Sequence, residues 1–230
     1  MPVIAIDGVA GSGKSTLARS LARALELPYL DTGAMYRAVA LACVQLNVDW
    51  NDEHAVTELC ALLKIEVGDT PVSVEINGEV RELTPVRLND EDVSAEIRGS
   101  AASQGASAVA VHPGVRAELI RRQQEWIAER GSCVVEGRDI GSVVCPNAEV
   151  KIYLTADQHE RAERRSAQNS ELAHQVIDLE ELKKQIAWRD ENDTTRGGLS
   201  QVEEAVVIDT TDLQPEETFQ IALALVRERI

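Results

Sequence analysis

The chain has 230 residues, 44% of them hydrophobic, and a formal net charge of −16. That is enough apolar material for one globular domain with a large core and small insertions. Its acidity sets a long-range field against a polynucleotide partner. No apolar run is long enough to span a bilayer, and the N-terminus reaches a strand with no charged segment ahead of it. Neither a membrane span nor a signal peptide is therefore expected, and the cytoplasm is the default compartment. Cys43, Cys60, Cys133 and Cys145 form no C-x-x-C pair and read as buried free thiols. His54, His112, His159 and His174 form no cluster in the sequence and receive no metal or catalytic role.

In chain order, Pro2 to Asp7 is an apolar, β-branched run that reads as a strand. Gly8-Val9-Ala10-Gly11-Ser12-Gly13-Lys14-Ser15 then fits G-x-x-x-x-G-K-[ST], the phosphate-binding loop. Leu17, Ala18, Leu21, Ala22 and Leu25 follow at helical spacing, so Ser15 to Glu26 is a helix. Strand, glycine loop and helix in that order form an anion cradle. The glycines let successive N–H groups turn inward, and the helix start adds its positive dipole end. Lys14 can reach the outer phosphates and the Ser15 hydroxyl can ligate Mg²⁺.

Leu27 to Leu30 reads as a second strand, Asp31 to Ala34 as a turn, and Met35 to Leu46 as a helix. Another helix runs through Val56, Leu59, Leu62 and Leu63, capped by Asn51 or Asp52. The texture then changes. Lys64 to Val67, Val72 to Ile76 and Glu79 to Leu83 look like strands, with Asn77-Gly78 as a two-residue hairpin turn. This antiparallel stretch, 65–105, is expected to be an inserted subdomain whose helical part starts at Asp92. Pro113 opens a helix that Gly131 closes. Strands follow at Cys133 to Glu136, Val150 to Leu154 and Ala205 to Ile208. Polar helices are expected at 157–169 and 179–191, and a last helix at 215–229. Trp50, Trp126 and Trp188 read as packing residues.

Apolar strands alternating with helices imply an α/β fold, a five-stranded parallel sheet flanked by helices. In such sheets ligands bind at the carboxyl ends of the strands. Those ends carry the phosphate-binding loop, then Asp31-Thr32-Gly33 with Tyr36 and Arg37 just beyond, and Glu136-Gly137-Arg138-Asp139. Arg161 and Arg165 share one helical face, with Arg164 beside them. Trp188 to Arg196 packs further arginines and acids ahead of Gly197-Gly198. Several arginines at one sheet edge beside a phosphate loop suit phosphate transfer between two phosphate-bearing substrates. Locally, Arg138–Asp139 also fits an ion pair closing a loop, Arg116 a solvated helical face with Arg121 and Arg122, and Arg161 to Arg165 surface pairing with Glu160 and Glu163.

Taken together the motifs are more restrictive. IDGxxGSGKST, LDTGAMYR, DVSxEIR at 92–98, PxVRxELxRRQ at 113–123, VVEGRDIGSVV at 134–144, KIYLTA at 151–156, ERAERR at 160–165 and RDxxD at 189–193 occur in order over nearly the whole chain. In these the chain resembles the bacterial cytidylate kinases, nucleoside monophosphate kinases that move the γ-phosphate of ATP to CMP or dCMP. The resemblance implies a P-loop NTPase-type fold with an inserted antiparallel NMP-binding subdomain (64–105), a helical lid (157–189), and a core of 1–63, 106–156 and 190–230.

It also implies roles. Gly8, Val9, Ala10, Gly11, Ser12, Gly13, Lys14, Ser15 and Thr16 would hold ATP, with Ser15 on Mg²⁺. Thr32, Arg116 and Asp139 would read the cytosine edge, and Tyr36 would flank the acceptor site. Ser107, Arg189 and Asp193 would meet the sugar hydroxyls. Arg37, Arg138 and Arg196 would hold the acceptor phosphate, and Arg161 and Arg165 would close over the transferring group. Lys14, Arg138, Arg161, Arg165 and Arg196 form the implied catalytic set, acting in a monomer on free nucleotides. Asn192, where the family usually has arginine, and 197–200, which lacks its usual alanine-proline character, depart from the pattern. The alternative is a kinase of another small acceptor, such as UMP, another nucleotide or shikimate; of these a non-nucleotide acceptor would have no use for the base-reading residues Thr32, Arg116 and Asp139. A P-loop switch would want N-K-x-D, which is absent.

Overall fold

The computed structural model describes residues 2–76, 79–173, 179–195 and 201–230. It divides into two compact units, Met1–Leu27 with Val134–Ile230, and Pro28–Cys133. In chain order the elements are β1 (Val3–Gly8), α1 (Lys14–Leu25), β2 (Tyr29–Asp31), α2 (Thr32–Gln45), α3 (Glu53–Leu62), β3 (Ile65–Val67), β4 (Val72–Ile76), β5 (Glu79–Leu83), β6 (Val86–Leu88) and β7 (Glu91–Asp92). They continue with α4 (Ser100–Val109), α5 (Pro113–Arg130), β8 (Cys133–Glu136), β9 (Val150–Thr155), α6 (Gln158–Ala173), α7 (Leu179–Thr195), β10 (Val206–Asp209) and α8 (Pro215–Arg229).

The expected five-stranded parallel sheet is present, in the order β10-β9-β1-β8-β2. All six residues of β1 are buried. A strand covered on both faces needs a continuous apolar run, which is what Val3 to Ile6 supply. In α1, Leu17, Ala18, Leu21 and Ala22 form the buried stripe, and the helix packs on α8. Parallel pairing of β1 with β9 and of β10 with β9 carries three strand ends to one edge of this unit. At that edge Gly8 lies opposite Leu154. Its φ is +146°, and a Cβ there would stand 2.1 Å from the Leu154 carbonyl oxygen.

In the second unit α2 starts at Thr32, so the turn expected at Asp31 to Ala34 is helix from its second residue. Asp31 is the cap: its Oδ1 accepts the Ala34 N–H at 3.0 Å. An aspartate followed by a hydroxyl residue and glycine fits a turn and a helix start equally well, and the cap decides. α2 packs on α4. Gly105 permits this, because a Cβ there would meet the Cβ of Ala40 on α2 at 2.9 Å, and the Trp50 ring at 2.6 Å. α5 ends as expected, with Gly131 at φ +72° and its N–H on the Ile127 carbonyl at 2.8 Å.

The insert forms two antiparallel sheets, β3-β6-β7 and β4-β5. In the second, Ile76 pairs with Glu79; Asn77-Gly78, the expected turn, lies outside the described residues. β6 and β7 were not foreseen. They have three and two residues, too short for an alternating pattern to register. Trp126 packs as expected, under the Arg130 guanidinium at 4.2 Å. Trp188 does not: it is 54% exposed. The departures at Asn192 and 197–200 fall where the structure describes no side chains.

Gly8→Ala must displace backbone, because its Cβ would overlap a carbonyl of the neighbouring strand. The expected cost is at least about 3 kcal/mol, a fall in Tm of the order of 10 °C, read by thermal denaturation. An unchanged Tm would mean that β1 and β9 do not approach this closely.

Candidate active site

The loop after β1 turns on three glycines with positive φ, Gly8, Gly11 at +78° and Gly13 at +92°. Gly13 is the residue before α1, and no side chain caps that helix start. Its first-turn N–H groups therefore face the loop as anion donors. The Val9 carbonyl gathers the loop, accepting from Lys14 Nζ at 2.7 Å and Ser12 Oγ at 2.9 Å. Burial, and then the neighbouring Arg138 guanidinium, pull the Lys14 ammonium down to about 7. A bound phosphate supplies the opposing charge that restores it.

β8 delivers the next groups. Glu136 Oε2 accepts from Ser15 Oγ at 2.8 Å. The sequence reading assigned Glu136 no role; its one signal was an acid ending an apolar strand. Arg138 donates to the Gly8 carbonyl and pairs through Nε with Asp193 Oδ2 at 3.2 Å. The Arg138 guanidinium thus reaches both the phosphate loop and α7. Asp139 is buried. Asp7 is buried too, and its carboxyl is pushed up to about 6, chiefly by burial.

α6 and α7 meet the loop through a second network. Arg161 is buried; its Nε donates to the Ala156 carbonyl at 3.0 Å and its NH1 to the Ala10 carbonyl at 3.1 Å and to Asp190 Oδ2. Asp190 Oδ1 in turn accepts the Ala10 N–H at 3.3 Å. Arg164 donates to the Thr210 hydroxyl and to the carbonyls of Thr210 and Thr211. The Thr210 hydroxyl also bonds the Ser12 carbonyl at 3.1 Å. Asp190 and Thr210 were missed by sequence reasoning. Asp190 carried one readable signal, its place three residues before Asp193 on a helix.

Of the remaining expected residues, Thr32, Tyr36, Arg37, Ser107 and Arg116 lie in the second unit. Thr32 is buried at the start of α2, and Tyr36 and Arg37 are partly buried one turn on. Arg37 NH2 pairs with Asp31 Oδ2 at 2.7 Å, so the capping carboxylate also orients the arginine. Ser107 is on α4 and Arg116 on α5, both of which pack on α2. Arg121 and Arg122 are engaged by Glu118, at 2.7 and 2.6 Å. Arg165 is partly buried on α6. Arg189 lies in α7 with its side chain outside the description, and Arg196 lies outside the described residues. Among the described residues no group of three or more His, Cys, Asp or Glu could hold a metal ion, and no helix is long and apolar enough to cross a membrane.

Residues 4–228 match the family model described as cytidylate kinase. The chain is 44% identical over 229 residues to a cytidylate kinase of Geobacillus thermodenitrificans, covering 99% of this chain and 97% of that one. It is 41% identical over 229 residues to a cytidylate kinase of Halalkalibacterium halodurans, covering 99% and 98%. A solved structure of an uncharacterized protein from Eubacterium ventriosum superposes with a TM-score of 0.54 at 9% identity, covering 100% of both chains, a likeness of fold alone.

The Arg161–Asp190 pair is testable as an anchor. The two side chains are 9% and 17% exposed, so removing either leaves the other charge without its partner. Arg161→Ala and Asp190→Ala are each expected to cost about 3 kcal/mol, and the double variant little more than either alone. Denaturant unfolding of all four proteins measures this. Additive losses would show that the pair does not act as a unit.

Proposed function

The chain belongs to the cytidylate kinase family, and from that premise we propose how its residues divide the work. The protein is an enzyme that transfers the γ-phosphate of ATP to CMP or dCMP, giving ADP and CDP or dCDP. The observation that carries the proposed division is the meeting of Lys14, Ser15, Glu136 and Arg138 at the ends of β1 and β8.

The donor side is Gly8 to Thr16. The loop amides and Lys14 cradle the outer phosphates. The hydroxyl of Ser15 and the carboxylate of Glu136 are hard oxygen donors in contact. Such a pair suits Mg²⁺, which keeps several waters and takes few protein ligands. When bound, the ion neutralises charge on the phosphates. On the acceptor side, Thr32, Arg116 and Asp139 read the cytosine edge, whose amino donor and two acceptors match a carboxylate with an arginine. Tyr36 flanks the acceptor site, Ser107, Arg189 and Asp193 hold the sugar, and Arg37, Arg138 and Arg196 hold the phosphate.

The acceptor phosphate is already a nucleophile, so no covalent intermediate and no strong general base are needed. Positioning and charge neutralisation lower the barrier. Arg165 approaches the transferring group as the lid closes, while Arg161 acts from its place against the Ala10 carbonyl. Closure keeps water from competing for the γ-phosphate. The proposed setting is a cytoplasmic monomer acting on free nucleotides.

A coupled assay over a panel of monophosphates tests acceptor choice. ADP is expected only with CMP or dCMP present, with UMP poorer and AMP or dTMP nearly inert. Equal rates with AMP would overturn the assignment. Asp139→Ala is expected to cut kcat/KM for CMP by about a hundredfold or more, as loss of a charged group from a base-reading site does. Undiminished turnover by that variant would remove Asp139 from base reading.

A further inference from the structure

Asp7 takes no part in the roles assigned so far, yet it is 5% exposed and its carboxylate is fully directed at backbone. Oδ1 accepts the Ile140 N–H and Oδ2 the Gly141 N–H, each at 2.8 Å. These amides open the wide helical turn Ile140–Val144, immediately after Asp139. On the other side of Arg138 and Asp139, the Gly137 N–H bonds the Ile6 carbonyl at 3.0 Å. The segment is therefore clipped to β1 at both ends, by a main-chain carbonyl and by the next residue's side chain. Arg138 and Asp139 sit between the clips. The second clip is also closely packed: a Cβ on Gly141 would lie 3.4 Å from Asp7 Oδ2 and 3.3 Å from the Lys151 stem.

We propose that Asp7 is a positioning residue for the acceptor half of the site, its two oxygens setting the pose of the turn that presents Arg138 and Asp139. This rests on the reading above, in which those two residues serve the acceptor nucleotide. Desolvating a carboxylate is costly, and two charge-assisted hydrogen bonds from amides offset it. A carboxamide cannot replace it: it offers one acceptor and turns its own N–H groups toward the second amide. One clip is then released, and recognition sites tolerate displacements of only about 0.5 Å. The donor loop is held mostly by contacts outside this turn, the Val9 carbonyl on Lys14 and Ser12, Arg161 and Asp190 on Ala10, and Thr210 on Ser12, and shares with it the Arg138–Gly8 bond, so the larger effect falls on the acceptor.

The test is steady-state kinetics of full-length Asp7→Asn, varying CMP at saturating ATP and the reverse, with amide hydrogen exchange followed by NMR. The expected result is a KM for CMP raised about tenfold, a KM for ATP changed by less than about twofold, and faster exchange at Ile140 and Gly141 while β9 keeps its protection. Equal rises in both KM values, or no change in either, overturn the proposal; a merely structural role would lower Tm without splitting them. If Asp7→Asn does not fold, Asp7→Glu keeps the charge but moves both oxygens by one methylene, and the same split is expected. A wild-type enzyme inert toward CMP would sink the functional reading, whereas exchange at Ile140 and Gly141 would still decide whether Asp7 holds the turn.

Discussion

The cations at the strand ends of the first unit are each held by an acceptor of the same unit. Lys14 bonds the Val9 carbonyl, Arg138 the Gly8 carbonyl and Asp193, and Arg161 the Ala10 carbonyl and Asp190. This is the constraint on which the site depends. Positive charges brought this close repel one another and lose solvation, and the lowered Lys14 ammonium registers both effects. A chain of net charge −16 has carboxylates to spare. It places them on α7, one helical turn apart, where they neutralise the arginines without a nucleotide.

On the proposed reading, phosphate binding here is an exchange of acceptors rather than the capture of an anion by bare cations. A phosphate oxygen entering the loop competes with carbonyls and carboxylates that already hold the lysine and arginines in place. The side chains have lost much of their rotamer freedom before the ligand arrives, and that reduces the entropy still to be lost on binding. The cost is part of the electrostatic gain. Arg161 illustrates the balance: buried against two carbonyls and Asp190, it is preorganised to the point of acting as part of the loop's wall.

Much of the fold was legible because its signals are local. Val3 to Ile6 is an uninterrupted β-branched run, the glycine loop has fixed spacing, and Pro113 and Gly131 punctuate α5 at both ends. The proposed donor half, Gly8 to Thr16, is readable for the same reason: its residues are contiguous, so their chemistry and spacing can be read together. Asp31 was less so. As turn residue or helix cap it looks the same in sequence, and only the Ala34 amide on its carboxylate separates the two.

What escaped was produced by pairing between distant segments. Glu136 and Ser15 are 121 residues apart, Ala10 and Asp190 are 180 apart, and Ser12 and Thr210 are 198 apart. Apart from the place of Asp190 three residues before Asp193, none of these partners has a spacing to read. Each becomes meaningful only once the sheet sets β8, β1, β9 and β10 side by side and α6 and α7 meet the loop beyond them. Asp7 belongs with them in kind. In sequence it is the polar end of an apolar run, which a strand tolerates anywhere. In the fold its carboxylate has nowhere to go but a neighbouring turn, and a buried acid must find donors there or lose its charge. The residues with the plainest motif signatures are therefore those proposed to meet ligand, and the residues that hold them in place are the ones sequence spacing leaves unmarked.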